Sequence, residues 1–242
     1  MPTVFAIAAH HDDIEFIMAG TMLRLRDAGW QLHYMDLANG CCGTVEHDAA
    51  TIIQIRREEA KAAAAKLGAT FHDSIVNDLE IFYELPTLKR LAAVVREVAP
   101  DIILTHAPSD YMEDHMNASR LAVTAAFVRG MPNFSTNPPR PSAGGKVTVY
   151  HAQPYGNHDP LGNLVRPSIF VDTTPHIELQ TAALAEHRSQ KIGSIKAKAS
   201  IPIFIKCTNS PAKSAPCRAA TNTLKAGGNT CTSVCAVRAT IH

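Results

Sequence analysis

The stretch Ala9-His10-His11-Asp12-Asp13-Ile14-Glu15 places two imidazoles and three carboxylates within seven positions. So many ionisable groups beside a core are costly unless something pairs with them, and a cation is the economical partner. His10 and Asp13 stand three apart, at what reads as a strand-to-helix turn, so both can face one point. A third ligand must come from elsewhere, and His115 is the best candidate because it too follows a strand and begins a helix. Two histidines and one carboxylate with open positions bind zinc, or another divalent metal such as Fe2+, and leave room for water. Asp12, between the two ligands in sequence, could then act as general base on a water whose pKa a zinc ion lowers to about 7. Glu15 falls where a helix N-terminus favours a carboxylate.

The elements that must position these groups alternate along the chain. Val4 to Ala9 is an apolar run and reads as a buried first strand, with Phe16 to Ala28 as an amphipathic helix. Gln31 to Leu37, Thr70 to Val76 and Asp101 to Thr105 read as further strands. Asp48 to Leu67, the segment opened by Pro86, and Asn117 to Arg129 read as helices. Val147 to His151 and Ser168 to Val171 look like later strands, and Glu178 to Lys191 like a last helix. This alternation predicts an α/β fold, a doubly wound and mostly parallel sheet with helices on both faces. In such sheets ligands bind beyond the carboxyl ends of the strands, where the crowded stretch falls.

Composition sets bounds. The chain has 242 residues, 46% hydrophobic and 19% charged, enough for one α/β domain with a full core. The start lacks a signal-peptide pattern and no apolar run reaches about 18 residues, so the expectation is a cytoplasmic protein with no membrane partner. The net charge of +1 is unevenly spread. Residues 192–242 hold seven of the 23 basic residues and no Asp or Glu, leaving 16 basic and 22 acidic residues in 1–191. A net charge of −6 on that body argues against a nucleic-acid surface.

Other polar residues have plainer readings. His106, His151 and His158, taken singly, read as polar loop residues. Arg56-Arg57-Glu58-Glu59 reads as a solvated helix face. Cys41 and Cys42 read as small buried thiols. The tail cysteines Cys207, Cys217, Cys231 and Cys235 lack the spacing of a zinc knuckle.

With these residues in view, the chain resembles the LmbE-like, or PIG-L, zinc-dependent N-deacetylases. The family signature is similar to Ala-His-Pro-Asp-Asp-x-Glu, and here His11 takes the Pro position. Asn39-Gly40-Cys41-Cys42-Gly43-Thr44, the helix start at Arg56 and the late His187-Arg188-Ser189-Gln190 resemble further family motifs. The resemblance covers roughly residues 3–191 and implies a Rossmann-like fold. It implies removal of an acetyl group from an N-acetylated amino sugar or its conjugate, of N-acetylglucosamine type, by a metal-activated water. It implies His10, Asp13 and His115 as zinc ligands, Asp12 as base, and Asn39, Arg56 and Tyr111 as substrate contacts. The family's second motif, His-x-Asp-His, falls on Met112-Glu113-Asp114-His115. A thioether can neither stabilise an oxyanion nor protonate an amine. His151 and His158 are the first substitutes for that catalytic role, with His106 and Tyr111 next. The same departure keeps a non-catalytic sugar-binding relative as an alternative. A metal-dependent phosphoesterase is another, against which stands the lack of a phosphate-cradling Gly-rich loop. The expected partner is the small-molecule sugar, and a homo-oligomer is left open.

The stretch 192–242 has its own character: basic, cysteine-containing, with no amphipathic period. Its plain reading is a disordered tail. We also read it as an out-of-frame translation. Ile192 to Ile205 can be encoded so that the same bases, with one G in front, give Asp-Trp-Leu-Asp-Lys-Ser-Gln-Gly-Ile-Asp-Ser-Tyr-Leu-His, an acidic, helix-compatible segment.

Overall fold

A computed structural model describes residues 1–190 and the backbone of 239–241. The first strand, β1 (Thr3–Ala8), is buried along its whole length, as an unbroken apolar run requires of a central parallel strand. It pairs in parallel with β2 (Gln31–Asp36) on one side and β4 (Ile102–Thr105) on the other. Outside these lie β3 (Ala69–His72) next to β2 and β5 (Val147–His151) next to β4, both parallel. These five strands form an all-parallel sheet in the order β3-β2-β1-β4-β5, and β6 (Ala239–Ile241) adds an antiparallel edge beside β5. The expected α/β fold is the observed one. The expectations for the rest of 192–242 lie outside the described residues.

Period-two alternation in β1 feeds two cores. Phe5 and Ile7 pack beneath α4 (Leu85–Val98) and α5 (Glu113–Val128), against Leu88, Leu91, Val95 and Leu121. Val4, Ala6 and Ala8 face Ile14, Met18, Met22, Ala60, Leu67 and Ala183. These come from α1 (Asp13–Ile17), α2 (Ala19–Asp27), α3 (Ala49–Leu67) and α6 (Ile177–Leu184). In α3 the Asp48 carboxylate accepts the Thr51 N–H at 2.8 Å, and Gly68 ends the helix at a φ of 75°. No helix among the described residues is long and apolar enough to cross a membrane.

Four elements differ from expectation. The first helix begins at Asp13 and breaks at Met18, giving α1 and α2. The α5 helix begins at Glu113 rather than Asn117, because Glu113 and Asp114 suit the positive end of a first turn. Both changes move site residues from loops into first helical turns. Ser168 to Val171 forms no strand, and the β5 edge it would use is paired with 239–241. Finally α6 stops at Leu184, the chain turns, and a helical turn resumes at Arg188.

One buried cation organises the turn after α5. Arg96 donates to the carbonyls of Val128, Arg129, Met131, Phe134 and Arg140 at 2.8–3.3 Å. Arg96→Met keeps the apolar stem but strands those acceptors, so it should lower unfolding stability by about 3 kcal/mol in urea titrations.

Candidate functional site

The chain order leaves β1 toward β2 and β3, then crosses back to β4 and β5. The loops leaving β1 and β4 therefore diverge, and the crevice between them opens over the carboxyl ends of both strands. Ala9 to Asp12 comes from one side of this switch point, and His106 to Met112 from the other.

His10, Asp13 and His115 meet there, each offering a ligand atom within 4.8 Å of the others. His10 Nδ1 and His115 Nε2 both lie 3.5 Å from Asp13 Oδ2, which also accepts the His10 N–H at 2.8 Å. The far nitrogen of each imidazole has its own carboxylate. His10 Nε2 is 3.0 Å from Asp114 Oδ2, and His115 Nδ1 is 3.1 Å from Asp110 Oδ1. Such outer carboxylates fix the tautomer and turn the inner lone pair toward a cation. Asp114 is itself held by the Leu79 N–H at 3.0 Å, and Asp110 by the Met112 N–H at 3.2 Å. The donor set thus fits a divalent metal of the zinc or iron type. His106, Asp110 and His115 also cluster within 4.8 Å. That trio suits a metal less well, because Asp110 already takes His115 Nδ1 and the Ala9 N–H donates to His106 Nε2 at 2.9 Å.

The electrostatics follow from this crowding. Burial opposes ionisation of Asp13, yet the imidazoles of His106 and His115 and the hydrogen bonds from His10 and His106 hold its carboxyl well below the usual range. Burial likewise opposes a charge on His10, but Asp13 and Asp114 outweigh it and raise its pKa to about 9. Burial, with Asp13 and Glu15, pushes Asp12 well above the ordinary value. Asp12 sits at the N-cap of α1, at a φ of 93°, and its carboxyl makes no capping bond. A non-glycine residue in that region costs about 1–3 kcal/mol, and such strain gathers at functional sites.

The other expected site residues are distributed unevenly. Tyr111 sets its ring edge on His115, with centroids 5.5 Å apart, and meets Tyr155 at 5.9 Å. The residue is 59% exposed, and desolvation of its covered face, with the carboxylates of Asp13 and Asp110, raises the phenol to about 12. Arg56 is buried rather than solvated; its Nη2 donates to the Gly43 carbonyl at 2.8 Å, and its charge bears on Asp12. Asn39 donates to Asn77 Oδ1 at 2.7 Å and borders a cavity of about 460 Å³ with Asn77, Glu80, Phe82 and Arg90. His151 is buried at the end of β5, where its Nδ1–H donates to the His106 carbonyl at 2.8 Å. His158 is exposed, bonded to the Gly156 carbonyl of its own loop, and no contact joins it to the cluster. Met112 caps α5. His106 is fully buried and stacks on His115 at 4.0 Å.

Sequence reading missed the outer carboxylates. Asp114 could have been found from its place beside His115 in the motif; Asp110 had no such signal. It also missed what the late motif does. Ser189 Oγ donates to Glu59 at 2.6 Å, Gln190 donates to the His11 carbonyl at 2.7 Å, and His187 lies 3.3 Å from Glu15. Residues 187–190 therefore fasten α3 and the His11 turn together. His11, in the family's Pro position, is buried, and burial with His187 and Arg56 lowers its pKa to about 3. Cys42 is exposed and Cys41 half-buried, not the buried thiols expected.

Comparisons with known proteins bear on the family and the fold. Residues 5–126 match the model of the PIG-L family, described as GlcNAc-PI de-N-acetylase. The chain is 28% identical over 193 residues to the diacetylchitobiose deacetylase of Thermococcus kodakarensis, covering 77% of this chain and 69% of the relative. It is 30% identical over 190 residues to the 4-oxalmesaconate hydratase of Pseudomonas putida, covering 75% of this chain and 71% of the relative. In fold it is similar to the crystal structure of the 4-carboxy-2-hydroxymuconate hydratase of Pseudomonas putida, with a TM-score of 0.72, 24% identity, and coverage of 98% and 96%. The motifs around His10 and His115, the sheet order and the family match together make this chain a member of the PIG-L, or LmbE-like, family.

Proposed function

We propose that this protein is a metal-dependent N-deacetylase acting on an acetylated amino sugar or its conjugate, of N-acetylglucosamine type. The observation that carries the reading is the convergence of His10, Asp13 and His115, each imidazole backed by a carboxylate, beside an uncommitted Asp12. The family description and the diacetylchitobiose deacetylase support the reaction class. His10, Asp13 and His115 would hold the metal, for which zinc is the first choice and Fe2+ the second. When bound, such an ion supplies Lewis-acid polarisation of a carbonyl and a lowered pKa for water.

The chain's own residues divide the remaining work. Asp12 takes the proton of the attacking water, since it stands between the two ligands in sequence and its carboxyl is free of a capping bond. Its elevated pKa suits a group that must later release that proton to the leaving amine. Asp114 and Asp110 hold the two imidazoles in register. Tyr111 stays protonated and so can donate a hydrogen bond to a developing oxyanion, the role Met112 cannot fill. His151 holds its Nδ1–H on a carbonyl, and burial lowers its pKa, which supports it less as the proton donor. His158, bonded to the Gly156 carbonyl of its own loop, supports the role less well than Tyr111, whose ring edge meets His115. Asn39 and Arg56 would shape the sugar side of the site.

A second reading has one specific support. The hydratase relative, at 30%, is slightly more identical to this chain than the deacetylase relative, at 28%, and Met112 departs from the deacetylase motif. Hydration of a conjugated, carboxylated double bond would also use a water activated beside Asp12. Acetate release from N-acetylglucosamine conjugates, set against loss of ultraviolet absorbance from an unsaturated polycarboxylate, separates the two.

Four outcomes are expected. His115→Ala should lose bound metal on dialysis, and Asp114→Asn should weaken metal affinity by about 10–100-fold, both read by elemental analysis. Asp12→Asn should keep its metal while kcat for acetate release falls by about 10²–10⁴-fold. Tyr111→Phe should retain metal and lose about 10²–10³ in kcat. A comparable loss in His151→Ala, with Tyr111→Phe unaffected, would move the donor to β5.

A further inference from the structure

The loop between β2 and α3 carries two thiols that the reaction above does not use. Cys41 and Cys42 are free, and their sulfurs lie 3.6 Å apart on the accessible side of the loop. Two thiolates on one tetrahedral ion, with metal–sulfur bonds of about 2.3 Å, are separated by about 3.8 Å, so this spacing is close to the bite of a chelate. A carboxylate oxygen of Asp78 completes a group whose ligand atoms all lie within 4.8 Å of one another.

The group is held on both sides. Asp78 accepts the Gly40 N–H at 2.8 Å on one oxygen and the Cys42 N–H at 2.9 Å on the other. Each of these oxygens keeps a second lone pair. From beneath, the Arg56 side chain fills the loop so closely that a Cβ at Gly40 or Gly43 would stand 2.2 Å from it. Gly40 also has a φ of 78°, which favours glycine. The loop shape that presents the thiols is thus fixed before any ligand arrives, which lowers the cost of binding.

We propose that Cys41, Cys42 and Asp78 form a second cation site, for a thiophilic divalent ion such as Zn2+ or Cd2+, separate from the histidine site. Binding forms two metal–sulfur bonds and releases two thiol protons to solvent. Two sulfurs and one oxygen are a softer set than two imidazoles and one carboxylate, so the two sites rank metals differently. They are also mechanically joined. Asp78 precedes Leu79, whose N–H holds Asp114, which in turn holds His10. Leu79 sits at a φ of 65°, so this turn is already under strain.

The test uses the full chain, reduced, with one equivalent of Zn2+ added first and Cd2+ titrated afterwards. Cadmium–thiolate absorbance in the ultraviolet and bound cadmium after gel filtration are the readouts. The paired variant Cys41→Ser/Cys42→Ser should bind one equivalent of Cd2+ fewer and lose the matching absorbance. A chain with Ser at positions 207, 217, 231 and 235 should keep both. Asp78→Asn, with both thiols present, should weaken Cd2+ binding about tenfold or more. Unchanged stoichiometry and absorbance in the paired variant, or their complete loss in the chain lacking the four other cysteines, would overturn the proposal.

Discussion

The structure turns on one carboxylate, Asp13, and on what surrounds it. Its Oδ2 accepts the His10 N–H and lies within 3.5 Å of three imidazoles, those of His10, His106 and His115. An ionised carboxylate this crowded is sustainable only where positive charge or hydrogen-bond donors face it from several directions. The fold supplies those directions from separate strands: His10 and Asp13 after β1, His106 at the end of β4, and His115 in the first turn of α5. If the β1–β4 pairing were lost, the carboxylate would lose two of its three imidazole neighbours.

Around that centre the polar groups are arranged in shells that end on backbone. His10 leans on Asp114, which leans on the Leu79 N–H. His115 leans on Asp110, which takes the Met112 N–H. The side of the site toward α3 is closed by the late motif, where Gln190 reaches the His11 carbonyl and Ser189 reaches Glu59. Beneath the turn, His187 Nε2 lies 3.3 Å from Glu15 and His11 Nδ1 lies 3.8 Å from Asp36, so buried imidazoles are paired with buried carboxylates.

The family relation gives the likeness a breadth that the geometry explains. Deacetylation and hydration both begin with water made nucleophilic beside an electrophilic carbon. Under the proposed function, a scaffold that fixes two imidazoles and a carboxylate at a switch point would suit either one, with the substrate chosen by the loops at its rim. In this chain the rim differs from the deacetylase pattern at Met112, and it carries the vicinal thiols on the loop after β2.

Much of this was legible in the amino-acid sequence. An unbroken apolar β1, helices with clear caps such as Asp48 and Gly68, and strict alternation of elements specify a parallel sheet, because local propensity and burial point the same way. The types and spacing of His10, Asp12 and Asp13 marked a candidate site, since few other roles tolerate such a cluster. Tertiary structure decided the rest. The joining of His115 to His10 depends on which strands are neighbours, and spacing along a chain does not encode that. The burial of Arg56 depends on a loop folding over it. The hold of the His106 carbonyl on His151 depends on β4 and β5 lying side by side, and the reach of Gln190 to the His11 carbonyl on the chain's end folding back over its start; both are fixed only when the sheet has formed.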